Sequence, residues 1–184
     1  MIDKKYHTKL SKFMSLVLRH KPEEIGIVLD ANGWTAVNDL MAGMNSYGKE
    51  IDFETLELIV RTNSKQRFAL NEDKSMIRAN QGHSIGVDLG FTPKNPPAIL
   101  YHGTGAGFVG SIYKAGIRKM KRDHVHLSPD VETAVSVGQR HGKPVVFEIL
   151  TADMVNDGFS FYEAENGVWL TAEVPVKYIR KIEL

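Results

Sequence analysis

The sequence predicts an α+β protein in two lobes, residues 1–91 and 92–184. Three observations carry this reading. Residues 9–90 read as helices followed by a hairpin. The stretch "FTPKNPPAIL" then breaks the pattern with three prolines and reads as a linker. Beyond it, strands and helices alternate over a length suited to one small domain.

The first helix is read from Leu10, Phe13, Val17 and His20, spaced for one face and flanked by Met14 and Leu16. It should stop at Lys21, because Pro22 disfavours helical geometry in the residue before it. "DANGW" is a turn and "WTAV" a short strand. Asn38 is an N-cap candidate for "DLMAGMNSYG". Asp52 can cap "FETLELIVRTN", in which Leu56, Ile59 and Val60 form an apolar stripe. "KQRFAL", the polar turn "NEDKS" and "MIRAN" make a β-hairpin. Helices followed by a hairpin suggest a winged-helix module.

In the second lobe "AILYHGT", "HVHLS" and "KPVVFEIL" read as strands, with "GFVGSIYKAGI" and "DVETAVSVGQR" as helices between them. "GVWLT" and "VKYIRKIEL" are closing strands. The pattern allows α+β or α/β. There is no internal repeat and no low-complexity tract.

Composition excludes several classes. With 42% hydrophobic and 24% charged residues, the chain is of ordinary globular type. No apolar run is long enough to cross a bilayer, and "MIDKKYHTKL" lacks the apolar segment of a signal peptide. Cysteine is absent, which rules out disulfide and thiolate chemistry and suggests a reducing cytoplasm. The net charge is only +1, so any site for an anion must come from local clustering.

Such clustering occurs. Arg19, His20 and Lys21 end the first helix, where cations also suit the helix dipole. His20 continues the apolar face, so it is either buried and hydrogen-bonded or turned into a cleft. Arg67 should point away from Phe68 on its strand and otherwise reads as a solvated arginine. "KMKRDH" is the densest basic run, either a solvated loop or a phosphate grip. His124, His126 and Ser128 share one face of a strand, but no recognised zinc spacing surrounds them. His102 and Gly103 stand at a strand end, where a glycine allows close backbone approach to a ligand. "GTGAG" does not meet the dinucleotide fingerprint spacing. "QGHS" offers polar groups after the hairpin and otherwise reads as a loop.

The blocks "LRHKPE", "GW", "KQRF", "ANQGHSI", "LYHGT", "HVHLS" and "NGVWLT" occur in one order along nearly the whole chain. In this the chain resembles the RNA 2'-phosphotransferase family. The resemblance implies a winged-helix lobe that presents RNA, then an ADP-ribosyltransferase-like lobe that holds NAD+. It implies attack of an internal RNA 2'-phosphate on the nicotinamide ribose of NAD+, giving a 2'-phospho-ADP-ribosylated RNA. A second step then yields RNA with a free 2'-hydroxyl and ADP-ribose 1'',2''-cyclic phosphate, without a metal. The family's catalytic quartet carries over to Arg19, His20, Arg67 and Arg122. The first three lie in one lobe and Arg122 in the other, which implies a site shared by both. His102, Gly103 and Thr104 match its NAD-binding strand, and His126 and Ser128 its second NAD-side motif. Many ADP-ribosyltransferases carry a glutamate on a later strand. Here "NGVWLT" offers Val168, a departure the family shares and one that argues against ordinary protein ADP-ribosylation.

Arginines suit this chemistry. A phosphate monoester is already nucleophilic near neutral pH, so step one needs orientation more than a base. Step two is a phosphoryl transfer whose barrier falls mainly by electrostatic stabilisation. Two other functions remain open from sequence: ADP-ribosyl capping of terminal phosphates on nucleic acid, and a winged-helix binding module that senses NAD+ without catalysis. Product analysis with NAD+ and a 2'-phosphorylated RNA separates them.

Overall fold

The computed structural model describes residues 4–183, with side chains from residue 5. Part of the opening segment read as lacking a leader, Met1–Asp3, lies outside the described residues, as does Leu184. The chain forms two compact units, dividing after Gly90. The fold is α+β: every strand pair is antiparallel among the described residues, which removes the α/β option for the second half.

In the first unit α1 spans Lys4–Arg19. Its inward stripe is Leu10, Met14, Val17 and Leu18, all fully buried. Met14 is therefore central rather than flanking, and Phe13 packs at the edge of the core against Tyr47. His20 does not continue this face. It is exposed, just past the helix end. Pro22 opens a 3-10 turn, Pro22–Ile25, closed by Gly26 at φ 69°. The expected stop before Pro22 thus holds, because proline fits the first position of the new turn and not the interior of the old helix.

Strand β1 is Thr35–Ala36 and α2 is Val37–Ser46. Asn38 is not the cap. The helix starts from Ala36 with no side-chain cap, and Val37 N instead donates to Ser75 O at 2.8 Å. Tertiary pairing supplies what a capping side chain would have done. Helix α3, Phe53–Thr62, is capped as expected: Asp52 Oδ1 accepts from Thr55 N at 2.8 Å. Strands β2 (Phe68–Leu70) and β3 (Met76–Ala79) form the hairpin, and β1 joins β3 to give the order β1-β3-β2. One sheet face, with Phe68, Ile77 and Ala79, closes the core formed by α1, α2 and α3.

In the second unit β4 (Leu100–Gly105) leads through a 3-10 turn into α4 (Val109–Ala115) and β5 (Ile117–Arg118). Then come β6 (Val125–Leu127), α5 (Val131–Gly138), β7 (Pro144–Ile149) and α6 (Thr151–Asn156). Strands β8 (Tyr162–Glu163), β9 (Trp169–Thr171), β10 (Glu173–Val174) and β11 (Ile179–Ile182) close the unit. Two three-stranded sheets, β11-β7-β4 and β6-β9-β8, are joined where Tyr101 and Ser128 exchange backbone hydrogen bonds of 2.9 and 2.7 Å. β10 pairs with β5. Phe147, Ile149, Leu127 and Phe161 anchor this second core.

Candidate active site

Arg19, His20 and Arg67 come together at the end of α1. The Arg19 carbonyl accepts from Ser84 N at 3.0 Å, and Ser84 Oγ lies 2.8 Å from His20 Nδ1. The "QGHS" loop is thereby fixed on the helix terminus. Arg19 Nη2 donates to the Arg67 carbonyl at 3.5 Å, the outer limit of a hydrogen bond. Asn63, the residue that ends α3, holds Arg67 from the other side. Its Oδ1 accepts from Arg67 N at 3.4 Å and from Arg67 Nη1 at 3.3 Å, while its Nδ2 donates to Ser11 Oγ at 3.1 Å. Arg67 itself is half-buried, and burial lowers its pKa. Guanidinium stays charged in proteins regardless.

His83 lies beneath this group and is 1% exposed. Burial, followed by the positive charges of Arg19, His20 and Arg78, pushes its pKa down to about 4. It is therefore neutral near pH 7 and adds no repulsion to the cations around it. Gathering like charges in this way is unfavourable unless an anion shares the space.

The second unit holds another set. His102 on β4 reaches across to β6, its Nδ1 3.2 Å from the His126 carbonyl. A carbonyl only accepts, so Nδ1 carries the proton. Burial holds the His102 pKa below its ordinary value, so the ring is neutral with Nε2 as an acceptor. Arg122 Nη1 lies 2.9 Å from His126 Nδ1. A guanidinium only donates, so His126 Nδ1 accepts and its proton sits on Nε2. The "KMKRDH" run thus divides: Arg122 turns onto His126, while Lys119 and Lys121 are exposed in a loop that carries Met120 at φ 55°. His124 instead packs its ring among Phe91 and Tyr162.

Gly103 has a packing reason of its own. A Cβ there would lie 1.7 Å from the Ala134 carbonyl oxygen, so glycine is required by the approach of α5 to β4. Thr104 is buried, and Ser128 contributes through its backbone pairing with Tyr101. Sequence reasoning missed Ser84, Asn63 and His83. The block "QGHS" marked the first and third, but nothing local shows that a loop residue 64 positions after His20 will meet it.

The sequence model of the RNA 2'-phosphotransferase, Tpt1 / KptA family matches residues 5–173. The chain belongs to this family. It is 54% identical to a probable RNA 2'-phosphotransferase of Flavobacterium johnsoniae, over 92% of this chain and 93% of the relative. A protein of the same description from Fusobacterium nucleatum is 53% identical over 94% of this chain and 97% of its own length. A third, from Hahella chejuensis, is 51% identical over 99% and 97%. Membership of this family places the chain among enzymes of the transferase class rather than among non-catalytic binding modules.

Proposed function

We propose that the protein removes an internal 2'-phosphate from RNA and consumes NAD+ in doing so. The observation that carries the reading is the gathering of Arg19, His20 and Arg67 on one helix end in a member of this family. In step one Arg19 and Arg67 hold the phosphate oxygens in fixed directions, as forked guanidinium groups do. One oxygen forms a bond to C1'' of the nicotinamide ribose as the bond to nicotinamide breaks. In step two the phosphorus passes from the RNA 2'-oxygen to the ribose 2''-oxygen. The 2''-hydroxyl loses a proton, the departing RNA oxygen gains one, and His20 carries it. Arg19 and Arg67 stabilise the crowded anionic transition state, and the likeness to the family's catalytic quartet assigns Arg122 to the same step. Products are 2'-hydroxyl RNA, nicotinamide and ADP-ribose 1'',2''-cyclic phosphate.

NAD+ enters as a substrate, and the second unit offers groups that suit it. His102 presents a neutral ring with an accepting Nε2, and His126 a donating Nε2–H, matching ribose hydroxyls that both donate and accept. In this reading the first unit is a winged-helix lobe, supported by three helices and a hairpin sheet in sequence. The second is an ADP-ribosyltransferase-like lobe that uses His102, Gly103, Thr104, His126 and Ser128. No helix among the described residues is long and apolar enough to cross a membrane, and a cytoplasmic site of action accords with the lack of cysteine.

The test is a product analysis. Purified protein, a synthetic RNA with one internal 2'-phosphate and NAD+ should give 2'-hydroxyl RNA and stoichiometric nicotinamide, with EDTA making no difference. Dephosphorylation without NAD+, or a stable ADP-ribose cap as the sole product, contradicts the proposal.

A further inference from the structure

Arg67 sits just ahead of β2, and the residue before it is unusual. Gln66 stands at φ 40°, in the left-handed region that glycine accepts and a side chain resists. Two asparagines hold it there. Gln66 N donates to the Asn63 carbonyl at 2.8 Å, and the Gln66 carbonyl accepts from Asn80 Nδ2 at 2.6 Å. Across the same peptide bond, Arg67 N donates to Asn63 Oδ1 at 3.4 Å. The C=O and N–H of a trans peptide point opposite ways, so the Gln66–Arg67 peptide is gripped at both edges by asparagine side chains. The Arg67 carbonyl in turn accepts from Asn80 N at 2.9 Å. Asn80 is 5% exposed, which shields its grip from water.

Asn63 fixes more than backbone. The same Oδ1 accepts from Arg67 Nη1 at 3.3 Å, and Nδ2 donates to Ser11 Oγ at 3.1 Å. Ser11 lies about two turns before Arg19 on α1. One helix thus anchors Asn63 and also carries Arg19. An arginine side chain has many rotamers, and freezing them during the reaction works against the rate. The bonds from Asn63 to Arg67 are long, so they aim the fork more than they stabilise the fold. We propose that Asn63 and Asn80 are positioning residues, which set the Gln66–Arg67 peptide and the Arg67 guanidinium before substrate binds. This rests on the RNA 2'-phosphate reading above and adds to it two residues that act through Arg67.

The test is a double-mutant cycle, read on an RNA with one internal 2'-phosphate at saturating NAD+. Asn63→Ala should lower kcat about tenfold and leave KM within about twofold, the scale of one hydrogen bond to a charged group. In an Arg67→Lys background no Nη1 is left to aim, and the same substitution should lower kcat by about twofold or less. Asn80→Ala tests the other edge and serves where Asn63→Ala disturbs the fold. It should lower kcat about tenfold, and adding Gln66→Gly should return part of that rate, because glycine takes a positive φ without being held there. Equal losses from Asn63→Ala in both backgrounds, or a loss in Asn80→Ala that glycine does not lessen, overturns the positioning role alone. No turnover of the 2'-phosphorylated RNA by the native protein with NAD+ rejects the RNA reading and the positioning role with it.

Discussion

At the residue scale, Arg67 and Arg122 are held by neutral partners, Asn63 and His126, which leave their charge undiminished, and the proposed reaction draws on that charge. Step one needs a nucleophile that is already competent. Step two needs strong charge stabilisation. Arg67→Ala or Arg122→Ala should therefore slow step two more than step one, and at least one of them should accumulate ADP-ribosylated RNA in a gel time course. Lysine should restore activity only in part, because it lacks the fork. Loss of activity with no intermediate in either variant would place these arginines in step one or in binding.

Ser84 acts through another residue. Its hydroxyl sets the ring orientation of His20, and hydrogen bonds of this kind set the proton position on the partner ring. Ser84→Ala should lower kcat about tenfold with little change in KM, and should move the pH–rate profile. Ser84→Thr, which keeps the hydroxyl, should recover most of the rate. A fall in stability with an unmoved profile would mean that Ser84 only secures the loop.

His83 links the site to pH. Its folded pKa of about 4 lies below the ordinary histidine value, so the unfolded chain takes up this proton first as pH falls. Its contribution to stability is complete above about pH 6.5 and is lost between there and pH 4, at no more than about 1.4 kcal/mol per pH unit. His102 and His124, also lowered by burial, act in the same direction. Urea midpoints at pH 7.5 and pH 5 should therefore differ less in His83→Gln than in the native protein. Equal differences would show that His83 titrates normally.

At the element scale, much was legible because periodicity reports burial. The stripe through Leu10 and Val17, the Asp52 cap and the hairpin all follow from local pattern. What failed was set by contacts distant in sequence. α2 takes its first backbone bond from Ser75 and needs no cap at Asn38. α6 and the two-residue strands β5, β8 and β10 are too short to show a period. The site divides in the same way. Arg19 and His20 announce themselves as cations before a proline, whereas Ser84 and Asn63 become visible only when the chain has folded back. Gly103 read as a place for close backbone approach, and the approach of α5, set by a contact distant in sequence, also demands glycine there. Gly103→Ala would drive a methyl group into the Ala134 carbonyl. Since backbone must shift to admit it, thermal unfolding should register a loss of about 3 kcal/mol or more. A change below about 0.5 kcal/mol would mean that α5 is free to retreat.

For the molecule as a whole, a net charge of +1 conceals strong local charge. Two arginines, Arg19 and Arg78, and His20 act on one neutral imidazole, His83, in the first unit. Arg122 serves the second unit. Each unit has its own apolar core, which frees these polar faces from supporting the fold. The central claim is that both sets serve one NAD+-dependent reaction on RNA. The most direct measurement follows a labelled 2'-phosphate by mass spectrometry during incubation with NAD+. The phosphate should move from RNA into ADP-ribose 1'',2''-cyclic phosphate, in step with nicotinamide release, and Arg19→Ala and His102→Ala should each suppress the transfer at least tenfold. Release of the label as free inorganic phosphate, or transfer that proceeds without NAD+, would contradict the account.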